Sequence, residues 1–282
     1  MSMKMILVPT EQREGMRSAL QTALLLARRF DSYIEGFALR FGINMFVAAD
    51  MGGNIPLESF KQEGIEEVKR TRGMFESFMR DHNVPRSSPA TSSLSFGWLD
   101  DAPEGESVVG SYGRVFDIIV LSRPDANTTD LHHRALVSGL FESGRPILMS
   151  PPSPPKQLAT NILIAWNCST EQTRTIAFAM PLLQKADRVT VLTVTGGTAV
   201  PGPSCEQLIR CLRRNGIVAT PLAIGLDEGQ STGEAILATA ASLGCDLLIK
   251  GAYTQSRLRQ MIFGGATRHI LANATLPVLM AH

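Results

Sequence analysis

The sequence predicts an α/β protein made of two tandem three-layer α/β/α repeats, and three observations carry that reading. At 282 residues the chain is long enough for two domains of ordinary size, each able to bury a core of its own. Short apolar runs of strand length alternate with helical stretches, the pattern of mainly parallel sheets wound by right-handed crossovers. The second half also restates the order of the first.

The restatement begins with the opening strands, Lys4-Met5-Ile6-Leu7-Val8-Pro9 and Asn161-Ile162-Leu163-Ile164-Ala165-Trp166, apolar runs that read as buried parallel strands. Each passes through a polar turn into a helix. The first, at about 16–30, carries Ala19, Leu20, Ala23, Leu24, Leu26 and Ala27 at helical spacing; the second, at about 171–186, carries Ile176, Ala177, Ala179, Met180 and Leu183. Second strands follow at Tyr33 to Leu39 and at Arg188 to Val194. Later in each half an acid introduces another buried run, Asp117-Ile118-Ile119-Val120-Leu121 and Asp246-Leu247-Leu248-Ile249-Lys250. Each half closes on a strand begun by proline, Pro146 to Met149 and Pro277 to Met280, a position where the missing N–H is tolerated.

Between the halves, Ser150 to Lys156 is dense in proline and reads as a stiff extended connector, which places the repeats at 1–150 and 157–282. Ile6 and Ile162 lie 156 positions apart but Asp117 and Asp246 only 129, so the first repeat holds a net 27 extra residues. Part of that excess falls at Phe41 to Leu57, ahead of a charged helix at about 58–82. This segment is expected to be a lid or an interface, or, through Phe41, Met45, Phe46 and Val47, the wall of an apolar small-molecule pocket.

Composition narrows the function classes. With 44% hydrophobic and 19% charged residues and a net charge of +1, the chain has no basic excess with which to hold a nucleic-acid backbone. The opening MSMKMILVPTEQ lacks the apolar core and cleavage site of a signal peptide, and no stretch approaches the roughly 18 consecutive apolar residues of a membrane span, so a cytoplasmic protein with no membrane partner is expected. The four cysteines, Cys168, Cys205, Cys211 and Cys245, form no CxxC pair and no zinc spacing, and read as reduced thiols. No GxxxxGK[ST] loop, GxSxG elbow or HExxH pair is present, so no catalytic residue is named and no resident metal site is expected.

In a parallel sheet, ligands gather at the carboxyl ends of strands, where helix N-termini point their amides at anions. In the second repeat that rule selects Ala165-Trp166-Asn167, the end of the second strand at Val194, and the segment from Lys250 and Gly251 to Thr254, followed by QSRLRQMIF and Gly264-Gly265-Ala266-Thr267. This last stretch resembles the nucleotide-binding signature of universal stress proteins: a glycine, two residues, a glycine, nine residues, then a glycine followed by serine or threonine. Thr254 stands at the second glycine and Gly265 at the hydroxyl residue, with Thr267 offering a hydroxyl two residues on.

The resemblance covers both halves. It implies the adenine nucleotide alpha hydrolase-like fold with five-stranded sheets, and a stress-response or regulatory protein that binds ATP or a related adenine nucleotide, with magnesium, in the C-terminal repeat. Asn167 then falls where the family places an acid against the ribose, and Val194 would lie against the adenine. The resemblance further implies that the two repeats pair through their closing strands as an intramolecular pseudo-dimer; a homodimer of whole chains is a further option.

Other readings stay open beside this one. Glycines after a strand also serve tight turns or close packing of a helix on the sheet. An interaction protein with both sites degenerate is the alternative function. In the first repeat the matching stretch, Ser122 to Asp125 through Ala135 to Gly139, lacks the glycine frame and is not expected to bind nucleotide in the same way. His132 and His133 read as surface histidines, Glu11 as a helix cap or solvated carboxylate, and Arg257, Arg259 and Arg268 as either phosphate ligands or solvated side chains.

Overall fold

The structure, a computed structural model, describes residues 3–40, 57–88, 93–124, 130–197, 199–252 and 265–282. In the first repeat the elements run β1 (Met5–Thr10), α1 (Met16–Phe30), β2 (Tyr33–Ala38), α2 (Leu57–Asp81), β3 (Ser95–Trp98), α3 (Ser107–Gly113), β4 (Ile118–Ser122), α4 (Asp130–Glu142) and β5 (Ile147–Ser150). The second repeat follows with β6 (Asn161–Ala165), α5 (Thr170–Leu183), β7 (Arg188–Thr195), α6 (Cys205–Arg214), β8 (Thr220–Gly225), α7 (Thr232–Ser242), β9 (Leu247–Ile249), α8 (Gly265–Asn273) and β10 (Val278–Met280). The α/β character and the strand-helix alternation are as the sequence predicts.

Strand order is β3-β2-β1-β4-β5-β10-β9-β6-β7-β8. Each repeat contributes five strands that are parallel to one another, with β1 and β6 in matching positions. The two sets meet where β5 and β10 pair antiparallel, Leu148 opposite Leu279, so that one sheet of ten strands runs through the molecule.

Because side chains alternate along a strand, each apolar run feeds two cores. Ile6, Val8, Ile162 and Ile164 face a core with α1, α2, α5 and α6, while Leu7, Leu163, Ala165 and Leu248 face one with α3, α4, α7 and α8. Strands buried on both faces explain why their sequences are continuously apolar rather than alternating.

The acids that introduce β4 and β9 tie those strands to the sheet centre. Asp246 accepts from the backbone N–H of Thr160 (2.9 and 3.0 Å) and of Asn161 (2.9 Å), and Asp117 accepts from Lys4 N (2.6 Å) and Met5 N (3.1 Å). Each therefore caps the two orphan amides that begin its central strand. Matched residues also meet across the repeats: the Arg29 guanidinium donates to Lys185 O, and the Lys185 ammonium donates to Arg29 O at 2.9 Å. This exchange is what a two-fold relation between like surfaces produces.

Candidate functional site

At the carboxyl ends of β6, β7 and β9 lies a cleft of about 390 Å³, counted with the space at its open mouth. It is lined by Ala165, Trp166, Asn167, Leu192, Val194, Ala199, Thr232, Ile236, Lys250 and Ala266. Six of these, Ala165, Trp166, Asn167, Val194, Lys250 and Ala266, are residues the sequence reading selected. Strands β6 and β9 are neighbours from which the chain departs to opposite faces of the sheet, so the crevice arises from the topology itself.

The β6 side is held by local bonds. Ser169 caps α5 by accepting from Gln172 N at 3.1 Å, and Asn167 Oδ1 accepts from Ser169 N at 3.2 Å. Trp166 is 6% exposed, and its indole belongs to the core on the α5 and α6 side, where Nε1 donates to Pro203 O at 3.0 Å. Its contribution to the cleft is therefore structural support of the rim, with the 199–204 stretch pinned to β6 by this bond and by Val200 N to Asn167 O at 3.1 Å.

Across the cleft, β7 turns at Gly196, where φ is +79°, and Gly197 N returns to Val194 O at 3.2 Å, leaving Val194 half-buried in the wall. The turn abuts Thr232 in the first turn of α7, whose N-terminus is fixed by the reciprocal capping pair Ser231 and Glu234. Thr232 and Ile236 were not selected from sequence; the Ser231-x-x-Glu234 box after β8 is the signal that places a helix N-terminus there.

Lys250 forms the floor. It is 7% exposed, and Nζ donates to Gly251 O at 2.9 Å and to Thr267 Oγ1 at 3.1 Å, the latter in the first turn of α8. Burial pulls its ammonium down from 10.5 to about 8, partly opposed by the charge of Glu171 on α5. Thr267 is thus brought to the site through its hydroxyl, while Gly265 opens α8 on the exposed side.

Gly251 has a packing task. A Cβ there would come within 2.4 Å of Gln172 N and 2.8 Å of Gln172 Cα, so the glycine lets the start of α5 sit directly on the end of β9. Gln172 seals the contact, accepting from Gly251 N and donating to Ile249 O at 3.3 Å. The close-packing reading of this glycine is the one its surroundings support. Thr254 and Gly264, like Arg257, Arg259 and residues 41–56, lie outside the described residues.

At the corresponding strand ends of the first repeat, described polar residues pair with one another. His132 is 1% exposed, which corrects its reading as a surface histidine; Nε2 lies 2.8 Å from Ser122 O and Nδ1 2.6 Å from Glu11 Oε1. Since a carbonyl only accepts, the contact at Nε2 is one in which the ring N–H donates to Ser122 O. Glu11 is 14% exposed and paired, neither a cap nor a solvated group. The topology that brings α4 over the end of β1 is a long-range contact with no local sequence signal.

The cysteines are unpaired, and burial raises the thiols of Cys168, Cys205 and Cys245, the last to about 11, which keeps them protonated near neutral pH. Among the described residues no group of three or more His, Cys, Asp or Glu is placed to hold a metal, and no helix is long and apolar enough to cross a membrane.

Fold and cleft together define a tandem-repeat α/β protein with a small open crevice in its second repeat. The model of the universal stress protein family matches residues 226–282. Among solved structures, a universal stress protein from Archaeoglobus fulgidus DSM 4304 superposes with a TM-score of 0.72 at 13% identity, covering 98% of this chain and 97% of that one. A functionally unknown protein from Pseudomonas aeruginosa PAO1 superposes at 0.54 and 14% identity, covering 98% and 91%. No curated protein sequence matches. The resemblance to tandem universal stress proteins read from the sequence is thus supported by the family model over residues 226–282 and, over the whole chain, by likeness of fold.

Proposed function

We propose that this is a stress-response or regulatory protein that binds ATP or a related adenine nucleotide in the cleft of its C-terminal repeat. The observation that carries the reading is the convergence of Ala165 and Val194 as apolar walls with Lys250 as a buried cation on one crevice, between the first turns of α7 and α8. Apolar walls suit a purine face; a cation and the free amides of helix N-termini suit phosphate oxygens. Magnesium would be carried in by the phosphates. The repeats, joined through β5 and β10, would transmit occupancy as a gain in stability, because a ligand that binds only the folded state adds free energy that grows with the logarithm of its concentration. A cytoplasmic setting, where nucleotide is abundant, goes with this role.

The test is the thermal unfolding midpoint with and without excess ATP and magnesium, followed by mass analysis of nucleotide retained on purification. The expected result is an upward shift of several degrees, since saturation at a hundredfold the dissociation constant adds about 2.7 kcal/mol. The packing role of Gly251 favours a second reading, an interaction protein whose motif serves only the fold; an unchanged midpoint with no retained nucleotide selects it.

A further inference from the structure

Lys250 is the group in the cleft whose present partners do not account for it. A buried ammonium is costly unless a charge or several good acceptors meet it, and its described partners are one carbonyl and one hydroxyl, both neutral. Glu171 is near enough for its charge to be felt but forms no ion pair with it. From the other elements around the cleft, α8 presents the hydroxyl of Thr267, with Arg268 exposed and His269 half-buried beyond it, and α7 presents Thr232, with the exposed Glu234 engaged at the Ser231 cap. β6 and β7 contribute Asn167 and Val194 and no charge. Among the described residues, the floor of the cleft thus holds an ammonium with no anion in hydrogen-bond contact.

We propose that Lys250 is the specificity-determining residue of the cleft: it pairs with an anionic group of the ligand and takes up a proton in doing so, so that the site selects nucleoside phosphates over the neutral nucleoside. This rests on the nucleotide reading and sharpens it. Burial, partly opposed by the charge of Glu171, holds the ligand-free amine near 8, so above that pH a growing fraction is neutral. An anion at hydrogen-bond distance reverses the effect and restores the ammonium, which fixes the sign: binding consumes protons above pH 8, and affinity for the anionic ligand falls as pH rises from 8 toward 10.5. The balance is one proton from solvent to Nζ per ligand bound, with no covalent change.

The experiment is calorimetry of the full chain with ATP and with adenosine at pH 9, in buffers of differing ionisation enthalpy. The expected result is uptake of about one proton per ATP and none with adenosine. Lys250→Met should abolish the uptake and reduce the preference for ATP over adenosine by about tenfold or more. A readout on the unaltered protein keeps the proposal testable should that variant fold poorly: ATP, and not adenosine, should protect Lys250 from acylation by acetic anhydride, read on its tryptic peptide. ATP bound with buffer-independent heat, or ATP and adenosine bound equally, overturns the proposal and leaves the nucleotide reading standing; binding of neither ligand removes both.

Discussion

Glu11 in the first repeat and Asn167 in the second stand at matching positions after matching strands, and the polar groups beside them are partnered in different ways. In the first, Glu11 pairs with His132, whose other ring nitrogen meets Ser122 O. The second has no acid at that position and opens onto a buried cation, Lys250, where the first repeat has Leu121. One scaffold therefore supports a carboxylate–imidazole pair in one repeat and a buried lysine with neutral partners in the other. The lesson is that one fold can carry quite different polar groups at matching strand ends, so the chemistry of each repeat has to be read from those groups and not from the fold.

The sharpest way to break this comparison is at the contact between the fourth strand and the first helix of each repeat. In the second repeat the glycine is on the strand, and a Cβ at Gly251 meets backbone atoms of Gln172 that cannot rotate away. In the first repeat the glycine is on the helix side: a Cβ at Gly15 would approach Ser122 Cβ at 3.2 Å, tight but relieved by a small shift. Gly251→Val is expected to cost about 3 kcal/mol or more, and Gly15→Ala about 1 kcal/mol, as read by urea denaturation. Equal costs would show that the two junctions are packed alike.

The second way uses pH. Lys250 has a folded pKa lowered from 10.5 to about 8, so between those values the unfolded chain binds more protons than the native protein and stability rises with pH. The buried charge thus weighs most below pH 8. Lys250→Met removes a penalty of up to about 3 kcal/mol and loses about 1 kcal/mol of hydrogen bonding, so the ligand-free variant should be more stable at pH 7 by roughly 2 kcal/mol. That advantage should fade as pH approaches 10.5. Leu121→Met in the first repeat, apolar for apolar, should show no such pH dependence. A constant difference between Lys250→Met and the parent from pH 7 to 10 would mean that the lysine is not held out of water.

The scaffold was legible in the sequence because its signals are local. Apolar runs mark the strands, Asp117 and Asp246 flag their late partners, and prolines 146 and 277 mark the closing strands. The site was legible only in part. Ala165, Asn167, Val194 and Lys250 follow from strand ends, which a sequence marks, whereas Thr232 and Ile236 reach the cleft from a helix whose place over the sheet depends on the whole topology. His132 was misread for the same reason: nothing within ten residues of it says that α4 lies over Glu11, more than a hundred positions away. Of the two tasks the sequence left open for Gly251, the structure displays the packing one; a glycine that admits a phosphate and one that admits a helix look identical in sequence.

The smallest effect sharpens the same comparison from the first repeat. In His132→Ala, Ser122 O and the Glu11 carboxylate lose partners in a region with little access to water, at an expected cost of about 1 to 2 kcal/mol. If the Glu11 and His132 pair is structural, that loss should leave the ATP-induced rise in unfolding midpoint unchanged, because the ligand cleft is lined wholly by the second repeat. Measuring the rise in His132→Ala and in Lys250→Met side by side makes the contrast explicit: one variant lowers the baseline and keeps the shift, the other raises the baseline and loses most of it. A shift that falls in His132→Ala as well would mean that the two repeats, joined through β5 and β10, are energetically coupled, and the division of labour between them would have to be redrawn.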